Sequence, residues 1–225
     1  CYNEEEALPD TDKVLNDLMK DLVKREIVKS NSFILYVNDG SKDKTWDVIK
    51  NAYANSEYVH GLNLAGNKGH QNALLAGLMQ VKDEVDVTIS IDADLQDDVG
   101  VIEEMVEKYY SGCDIVYGVR NDRTSDSGFK KFTAEAFYKL MNYMGAKTVY
   151  NSADFRLMSN RALDELSLYS ETHLFLRGLA PELGFKTDCV YYKRSPRLKG
   201  ESKYPLKKML SFAFNGVTSF SDKPL

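Results

Sequence analysis

The sequence has few cysteines and histidines and no long hydrophobic run. Its three cysteines (Cys1, Cys113, Cys189) form no CxxC pair, and its three histidines are scattered. This pattern argues against a disulfide framework and a zinc site, and it indicates a reducing compartment. No apolar run approaches the roughly 18 residues that a transmembrane helix needs. No signal peptide is visible either.

The sequence also lacks an excess of positive charge. It has 29 Lys and Arg against 34 Asp and Glu, a formal net charge of -5. A general nucleic-acid binder normally needs a basic surface, so nucleic acid is not an expected partner. The chain has 225 residues, of which 43% are hydrophobic and 28% charged. This is the balance of one soluble globular domain with a real core.

Hydrophobic periodicity predicts alternating helices and strands. Strands are expected at 33–37, 59–64, 85–91, 114–119 and 187–192, with a short one at 155–158. Helices are expected at 14–27, 46–53, 69–81, 99–110, 130–144 and 205–220, and another is expected to follow a cap at Asn160. The alternation predicts an α/β fold with a mainly parallel sheet and helices on both faces.

The segment Ile91-Asp92-Ala93-Asp94-Leu95-Gln96 ends a predicted buried strand. In an extended chain, positions 92, 94 and 96 share one face and can converge. Their oxygen atoms suit Mg²⁺ or Mn²⁺ rather than zinc. The carboxyl end of a strand is also where ligands bind in α/β sheets. A solvated acidic turn is the competing interpretation.

The turn Asn38-Asp39-Gly40-Ser41 follows the first predicted strand. Asp39 can accept a hydrogen bond from a base or position a nucleotide, and Gly40 permits a tight turn. The alternative is a simple turn in which Ser41 or Asp43 caps the next helix.

Together with Tyr2-Asn3-Glu4-Glu5, these motifs occur in an order that resembles the inverting glycosyltransferases of the GT-A fold. Segments 66–71, 153–158, 175–178 and 197–204 are similar to the bactoprenol (undecaprenyl-phosphate) glucosyltransferases, which are related to dolichol-phosphate mannose synthase. The resemblance covers nearly the whole chain. It implies transfer of a hexose, with glucose favoured, from a nucleotide-sugar to a polyprenyl phosphate at the cytoplasmic face of a membrane. A uridine donor is favoured over a guanosine donor.

The resemblance also implies roles for individual residues. The catalytic group would be Asp154, Asp94 and Arg120. The nucleotide-sugar would be bound by Tyr2, Glu4, Asn38, Asp39, Asp92 and Arg194, and the metal by Asp92, Asp94 and Gln96. The phosphate and acceptor would meet Arg197, Lys199, Ser202 and Lys203. The family usually has DDGS where this chain has NDGS, so more weight falls on Asp39.

The last third of the chain suggests contact with a membrane. Residues 194–204 are basic and contain Pro196 and Gly200, so they are expected to form a loop that closes over the donor or is simply solvated. Residues 1–204 are expected to form the catalytic domain, with its first strand incomplete. Residues 205–225 are expected to form an amphipathic juxtamembrane helix before transmembrane segments. A helix packed on the core is the alternative, and the oligomeric state is left open, a homo-oligomer included.

The sequence leaves alternatives open for the roles of two side chains and for the function. Asp154 could act as a base, orient the acceptor, or pair with Arg156 or Arg177. His70 could contact the donor or be a structural, hydrogen-bonded histidine. A glycosyltransferase acting on a sugar hydroxyl in cell-surface polysaccharide synthesis would need a true general base. A non-catalytic nucleotide-binding module would not need the carboxylates of Asp92, Asp94 and Asp154 to converge.

Overall fold

A computed structural model describes residues 1–121, 149, 151–169 and 176–195. Within these ranges the helices are α1 (Leu8–Lys24), α2 (Thr45–Asn55), α3 (His70–Val81), α4 (Ile102–Tyr110), α5 (Asn160–Ser167) and α6 (Leu176–Glu182). The strands are β1 (Ile34–Asn38), β2 (Val59–Asn63), β3 (Val87–Ser90), β4 (Ile115–Arg120), β5 (Ser152–Ser159) and β6 (Thr187–Tyr192). The predicted helices at 130–144 and 205–220 lie outside the described residues.

The strands form a mixed arrangement. Strands β1 and β2 pair in parallel, and a four-stranded sheet has the order β3-β5-β4-β6. In that sheet β4 and β6 are parallel, whereas β5 is antiparallel to both β3 and β4. The predicted α/β class is confirmed, but the sheet is less parallel than expected. The alternation of helices and strands along the chain predicts parallel neighbours joined by helices. It does not predict the direction of β5, which lies between β3 and β4 and is antiparallel to both.

Strand β5 is longer and more central than the short strand predicted at 155–158. All eight of its residues are buried. Its antiparallel direction sets Ser152 opposite Val119 and Arg156 opposite Ser90. The start of β5 therefore lies at the edge where β3 and β4 end. This direction brings Asp154 to the carboxyl edge of its neighbours.

Apolar side chains cover both faces of the four-stranded sheet. On one face Ile115 and Met158 pack with Leu163 of α5. On the other, Phe155 packs with Met105 of α4 in a cluster that also includes Leu22 of α1. Neighbouring positions of a strand point to opposite faces, so each strand supplies both layers. Helices on both faces were predicted, and the structure has them.

The cap of α5 differs from the prediction. Ser159, and not Asn160, is the capping residue, because its hydroxyl accepts a hydrogen bond from the Ala162 amide at 3.2 Å. Asn160 is the first helical residue, and its side-chain amide donates to the Val85 carbonyl at 3.0 Å. Asn160 therefore ties the start of α5 to the chain before β3.

Candidate active site

We call residues 92–97 the acidic loop. Strand β3 ends at Ser90, a turn follows at Ala93 and Asp94, and Leu95 has a φ of 52°. A left-handed conformation is uncommon for a residue with a side chain and marks local strain. The Asp94 carboxylate accepts a hydrogen bond from the backbone N–H of Gln96 at 3.1 Å, which stabilises this turn. The extended geometry expected for positions 92, 94 and 96 is therefore wrong, because the chain turns before they can share a strand face.

Negative charge is concentrated in the acidic loop. Burial raises the pKa of Asp92, as do the charges of Asp154, Asp97 and Asp94, while His70 opposes the shift. Asp97 is buried, and its Oδ2 has no hydrogen-bond partner within the described ranges. Crowded carboxylate oxygens of this kind fit a hard divalent cation. No group of three or more His, Cys, Asp or Glu among the described residues is already arranged to hold one.

The end of the acidic loop is tied to β4 and β6. Asp97 Oδ1 accepts from Arg120 Nη2 at 2.8 Å and from the Tyr192 hydroxyl at 2.6 Å. Gln96 accepts from Arg194 through its side chain and from the Ser195 amide through its backbone, the latter at 2.9 Å. Arg120, predicted to be catalytic, and Arg194, predicted to bind the nucleotide-sugar, therefore both lie at the acidic loop. Gln96, predicted as a metal ligand, has its amide oxygen engaged by Arg194.

The turn after β1 organises a second loop. The Asp39 carboxylate accepts from the backbone amides of Lys68 at 2.6 Å and Gly69 at 3.1 Å. Gly40 has a φ of 63°, and a Cβ there would clash with the backbone of Gly66 and Asn67. Asp39 is buried and holds the loop that leads directly into α3.

Asn38 is bound within its own surroundings. It is 2% exposed, donates to the Asn63 side chain at 2.7 Å and accepts from the Ser41 hydroxyl at 2.5 Å. These contacts hold the turn and the β1–β2 pair together. The role of Asn38 in binding the nucleotide-sugar stays a prediction.

Tyr2 and Glu4 lie beside the same turn. The Glu4 amide donates to the Thr45 hydroxyl at 2.8 Å. One residue earlier, the Asn3 amide donates to the Ser41 hydroxyl at 3.0 Å. Both predicted nucleoside-pocket residues are half-buried next to the Asp39 turn. The structure thus groups the predicted nucleotide-binding segments.

Asp154 is surrounded by hydrogen-bond donors. Its Oδ2 accepts from Gln71 Nε2 at 3.2 Å and Arg177 Nη2 at 3.0 Å, and lies 2.9 Å from His70 Nε2. Its Oδ1 accepts from Arg156 Nη2 at 2.7 Å and Arg177 Nε at 3.1 Å. Burial alone would raise the pKa of Asp154. The arginines and the His70 hydrogen bond outweigh it and hold that pKa well below its usual range.

His70 is central to the site, although sequence reasoning left it out of the catalytic group. An ionised Asp154 can only accept, so the His70 Nε2 must carry the proton of their hydrogen bond. The same Nε2 lies 4.0 Å from Asp92 Oδ1, and the His70 side chain is 41% exposed. The available signal was position: His70 and Gln71 directly follow a glycine and open α3.

The contacts connect most of the predicted site residues. Asp39 holds the loop before His70, His70 joins Asp154 to Asp92, and the acidic loop continues to Arg120 and Arg194. The predicted acceptor and phosphate residues are outside the described residues: Arg197, Lys199, Ser202 and Lys203.

The fold is that of the GT-A glycosyltransferases. One solved structure is glucosyl-3-phosphoglycerate synthase from Mycobacterium tuberculosis in complex with Mn²⁺, uridine diphosphate and phosphoglyceric acid. It matches with a TM-score of 0.57 at 13% identity, over 95% of this chain and 72% of that one. At this identity the likeness shows the fold alone.

The chain belongs to glycosyl transferase family 2, whose pattern matches residues 1–167. It is 53% identical to YkoT, an uncharacterized glycosyltransferase of Bacillus subtilis, over the whole chain and 67% of that protein. It is 39% identical to a prophage bactoprenol glucosyl transferase homolog of Escherichia coli, over the whole chain and 71% of that protein. The protein is therefore a glycosyltransferase.

Proposed function

We propose that this glycosyltransferase moves a hexose, with glucose favoured, from a uridine diphosphate sugar to a polyprenyl phosphate, with inversion and with a divalent cation. The relatives named as bactoprenol glucosyl transferases support the acceptor and the sugar. A fold neighbour with bound uridine diphosphate and Mn²⁺ supports the donor and the cation.

The state of Asp154 is the observation that carries the proposal. Its two oxygens meet five donor groups, and its pKa lies well below the usual range, so it is poorly suited to take a proton. A sugar hydroxyl would need a base, since it must lose a proton as it attacks. A phosphate monoester loses its second proton near pH 6, so much of it is already a dianion at neutral pH. The site therefore favours an acceptor that arrives ionised.

In the proposed reaction an oxygen of the acceptor phosphate bonds to the anomeric carbon of the sugar. The bond from that carbon to the donor diphosphate breaks at the same time, which inverts the configuration. A bound cation would neutralise charge on the departing diphosphate. Asp92 and Asp94 would hold it, and Arg120 and Arg194 lie at the same loop to meet the diphosphate.

A lipid acceptor would place the reaction at the cytoplasmic face of the membrane. We assign the expected basic loop and the amphipathic helix at 205–225 to this contact, and both lie almost entirely outside the described residues. No helix in the described part of the chain is long and apolar enough to cross a membrane.

The test is transfer from a panel of nucleotide-sugars to undecaprenyl phosphate, with Mg²⁺, with Mn²⁺ and with excess chelator. The expected product is a glucosyl lipid phosphate formed from the uridine donor, whose anomeric configuration is opposite to that of the donor. Products are identified by mass spectrometry and NMR. A lack of lipid product with every donor, or full activity in chelator, would contradict the proposal.

A second candidate is transfer to a sugar hydroxyl. The pairing of His70 with Asp154 favours it, since a carboxylate can orient a histidine as a base. The same donor panel with oligosaccharide acceptors separates the two functions. Faster transfer to an oligosaccharide than to the lipid phosphate would support this candidate.

A further inference from the structure

Three side chains contact one another where β4 and β6 end. Arg120 is the last residue of β4 and Tyr192 the last of β6, and the two are directly paired across these parallel strands. Asp97 of the acidic loop accepts through Oδ1 from Arg120 Nη2 at 2.8 Å, from Arg120 Nε at 3.1 Å and from the Tyr192 hydroxyl at 2.6 Å. Arg120 Nε also donates to the Tyr192 hydroxyl oxygen at 3.3 Å. The two strand ends thus hold the acidic loop through a closed hydrogen-bond triangle.

Burial fixes two corners of this triangle and leaves the third accessible. The Asp97 side chain is 1% exposed, whereas that of Arg120 is 25% exposed. Tyr192 is buried, and its ring packs edge-on against Phe155 with ring centroids 5.5 Å apart. Asp97 and Tyr192 are therefore a rigid anchor, and Arg120 reaches from it toward solvent.

Stability alone does not account for the anchor. A buried ion pair is weak evidence for stability, because removing two charges from water offsets much of their attraction. All three donor contacts of Asp97 converge on Oδ1, while the buried Oδ2 has no hydrogen-bond partner among the described residues. A carboxylate that served only to pair with arginine would use both oxygens on the two arms of the fork. The arrangement favours control over the orientation of Arg120.

The contacts occupy one edge of the Arg120 guanidinium and leave another edge open. Nε–H and one N–H of Nη2 lie on the same edge, and both donate to Asp97. Both N–H groups of Nη1 and the second of Nη2 have no partner within the described part of the chain. These remaining groups form the end-on fork of the guanidinium, which matches two oxygens of a phosphate.

The charges at the acidic loop divide the work between a cation and this fork. Asp97 and Arg120 together are neutral, and Asp92 and Asp94 add negative charge beside them. A divalent cation at Asp92 and Asp94 would offset these carboxylates and supply the net attraction for a diphosphate. Arg120 would then contribute directed donors, so its effect depends on where its open fork points.

We propose that Asp97 and Tyr192 are positioning residues that aim the open fork of Arg120 at the diphosphate of the donor. The departing diphosphate gains charge in the transition state, and donors that are already oriented stabilise that charge without first having to reorganise. This inference rests on the proposed function, since it assumes that the diphosphate of a nucleotide-sugar binds at the acidic loop.

The experiment compares the binding of uridine diphosphate and of uridine, each with Mn²⁺, to Tyr192→Phe, Asp97→Asn and the unchanged protein. We expect the Kd for uridine diphosphate to rise about 3- to 10-fold in Tyr192→Phe and about 10- to 100-fold in Asp97→Asn, as for a neutral and a charged hydrogen bond. Uridine has no diphosphate, so its Kd, measured by NMR titration, should stay the same. Tyr36→Phe is the matched control, because Tyr36 is also buried and donates to an aspartate, Asp12, at 3.1 Å. Neither Kd should change in this control.

A double-variant cycle distinguishes positioning from structural support. If Tyr192 acts through Arg120, Tyr192→Phe should not weaken uridine diphosphate binding any further once Arg120→Gln is present. Tyr192→Phe keeps the ring and removes only the hydroxyl, so the test does not depend on Asp97→Asn folding. An unchanged uridine diphosphate Kd in Tyr192→Phe, equal losses for the two ligands, or additive effects in the cycle would overturn the positioning role and leave the proposed function standing. A lack of uridine diphosphate binding by the unchanged protein would overturn both.

Discussion

The substitution Asp154→Asn should lower the free energy of unfolding of the protein and also stop sugar transfer. The change removes a buried negative charge from beside Arg156, which is itself buried. It also places an NH₂ group or a neutral oxygen where Oδ2 now meets the donors of His70, Gln71 and Arg177. An amide nitrogen facing three donors cannot satisfy them.

The size of the effect follows from the burial of the pair. Removing one partner of a buried ion pair costs about 3–5 kcal/mol, because the other charge stays buried without compensation. For a chain of this length each kcal/mol shifts Tm by about 2–4 °C, which gives a drop of roughly 6–20 °C. Such a loss is a large part of the ~5–15 kcal/mol that stabilises a typical domain.

The assay is thermal and urea unfolding of Asp154→Asn, of Arg156→Met and of the double variant. The double variant should lose less stability than the sum of the two single variants, because no buried charge is left unpaired. An inactive Asp154→Asn with unchanged Tm would refute this reasoning. It would mean that the carboxylate serves the chemistry alone, as a general base would.

Three further outcomes are expected. Asp94→Asn should reduce transfer to near background and remove the dependence on added Mn²⁺, and full activity in that variant would exclude Asp94 as a ligand. Asp39→Asn should lower the stability of the protein by about 1–3 kcal/mol in urea unfolding, since two backbone amides lose a charged acceptor. The hydrogen bond from Arg161 lowers the pKa of Asp114, so this pair stabilises the fold above the usual aspartate pKa of about 3.9, and the contribution is lost as pH falls through the lower folded value. The Tm difference between the unchanged protein and Arg161→Ala should therefore shrink under acid, and a constant difference down to pH 2 would contradict it.

Periodicity located most of the described helices and strands because their apolar residues repeat at the spacing of buried faces. Strands β1, β2, β4 and β6 lie within one or two residues of the predictions. Helix α6 (Leu176–Glu182) was missed, since seven residues with Gly178 and Pro181 carry no helical repeat. Helix α1 begins at Leu8, six residues before the predicted segment at 14–27, and Pro9 lies in its first turn, where a missing N–H costs no helical hydrogen bond.

The composition of the site was more predictable than its pairings. The sequence pointed to Asp39, Asp92, Asp94, Arg120 and Asp154, and the structure connects them through direct contacts and shared loops. It did not point to Asp97, Tyr192 or Gln71 as partners. Such partners leave no pattern in the chain, because they can lie far from the site residue in sequence. Asp97 and Arg120, for example, are 23 positions apart.

The direction of β5 shows why such pairings decide the chemistry. A parallel β5 would set Asp154 at the far end of the sheet from Asp92, and the carboxylate could not hold His70 beside the acidic loop. The antiparallel strand instead places Ser152 opposite Val119 and carries Asp154 and Arg156 together to the edge where β3 ends. Positions 154 and 156 share one strand face, so the carboxylate meets the first of its arginines within its own strand. Helix α6 then adds Arg177, one of the two arginines considered from the sequence as partners of Asp154. The contact of His70 with both Asp154 and the acidic loop is thus a product of strand direction, and a parallel β5 would separate Asp154 from Asp92.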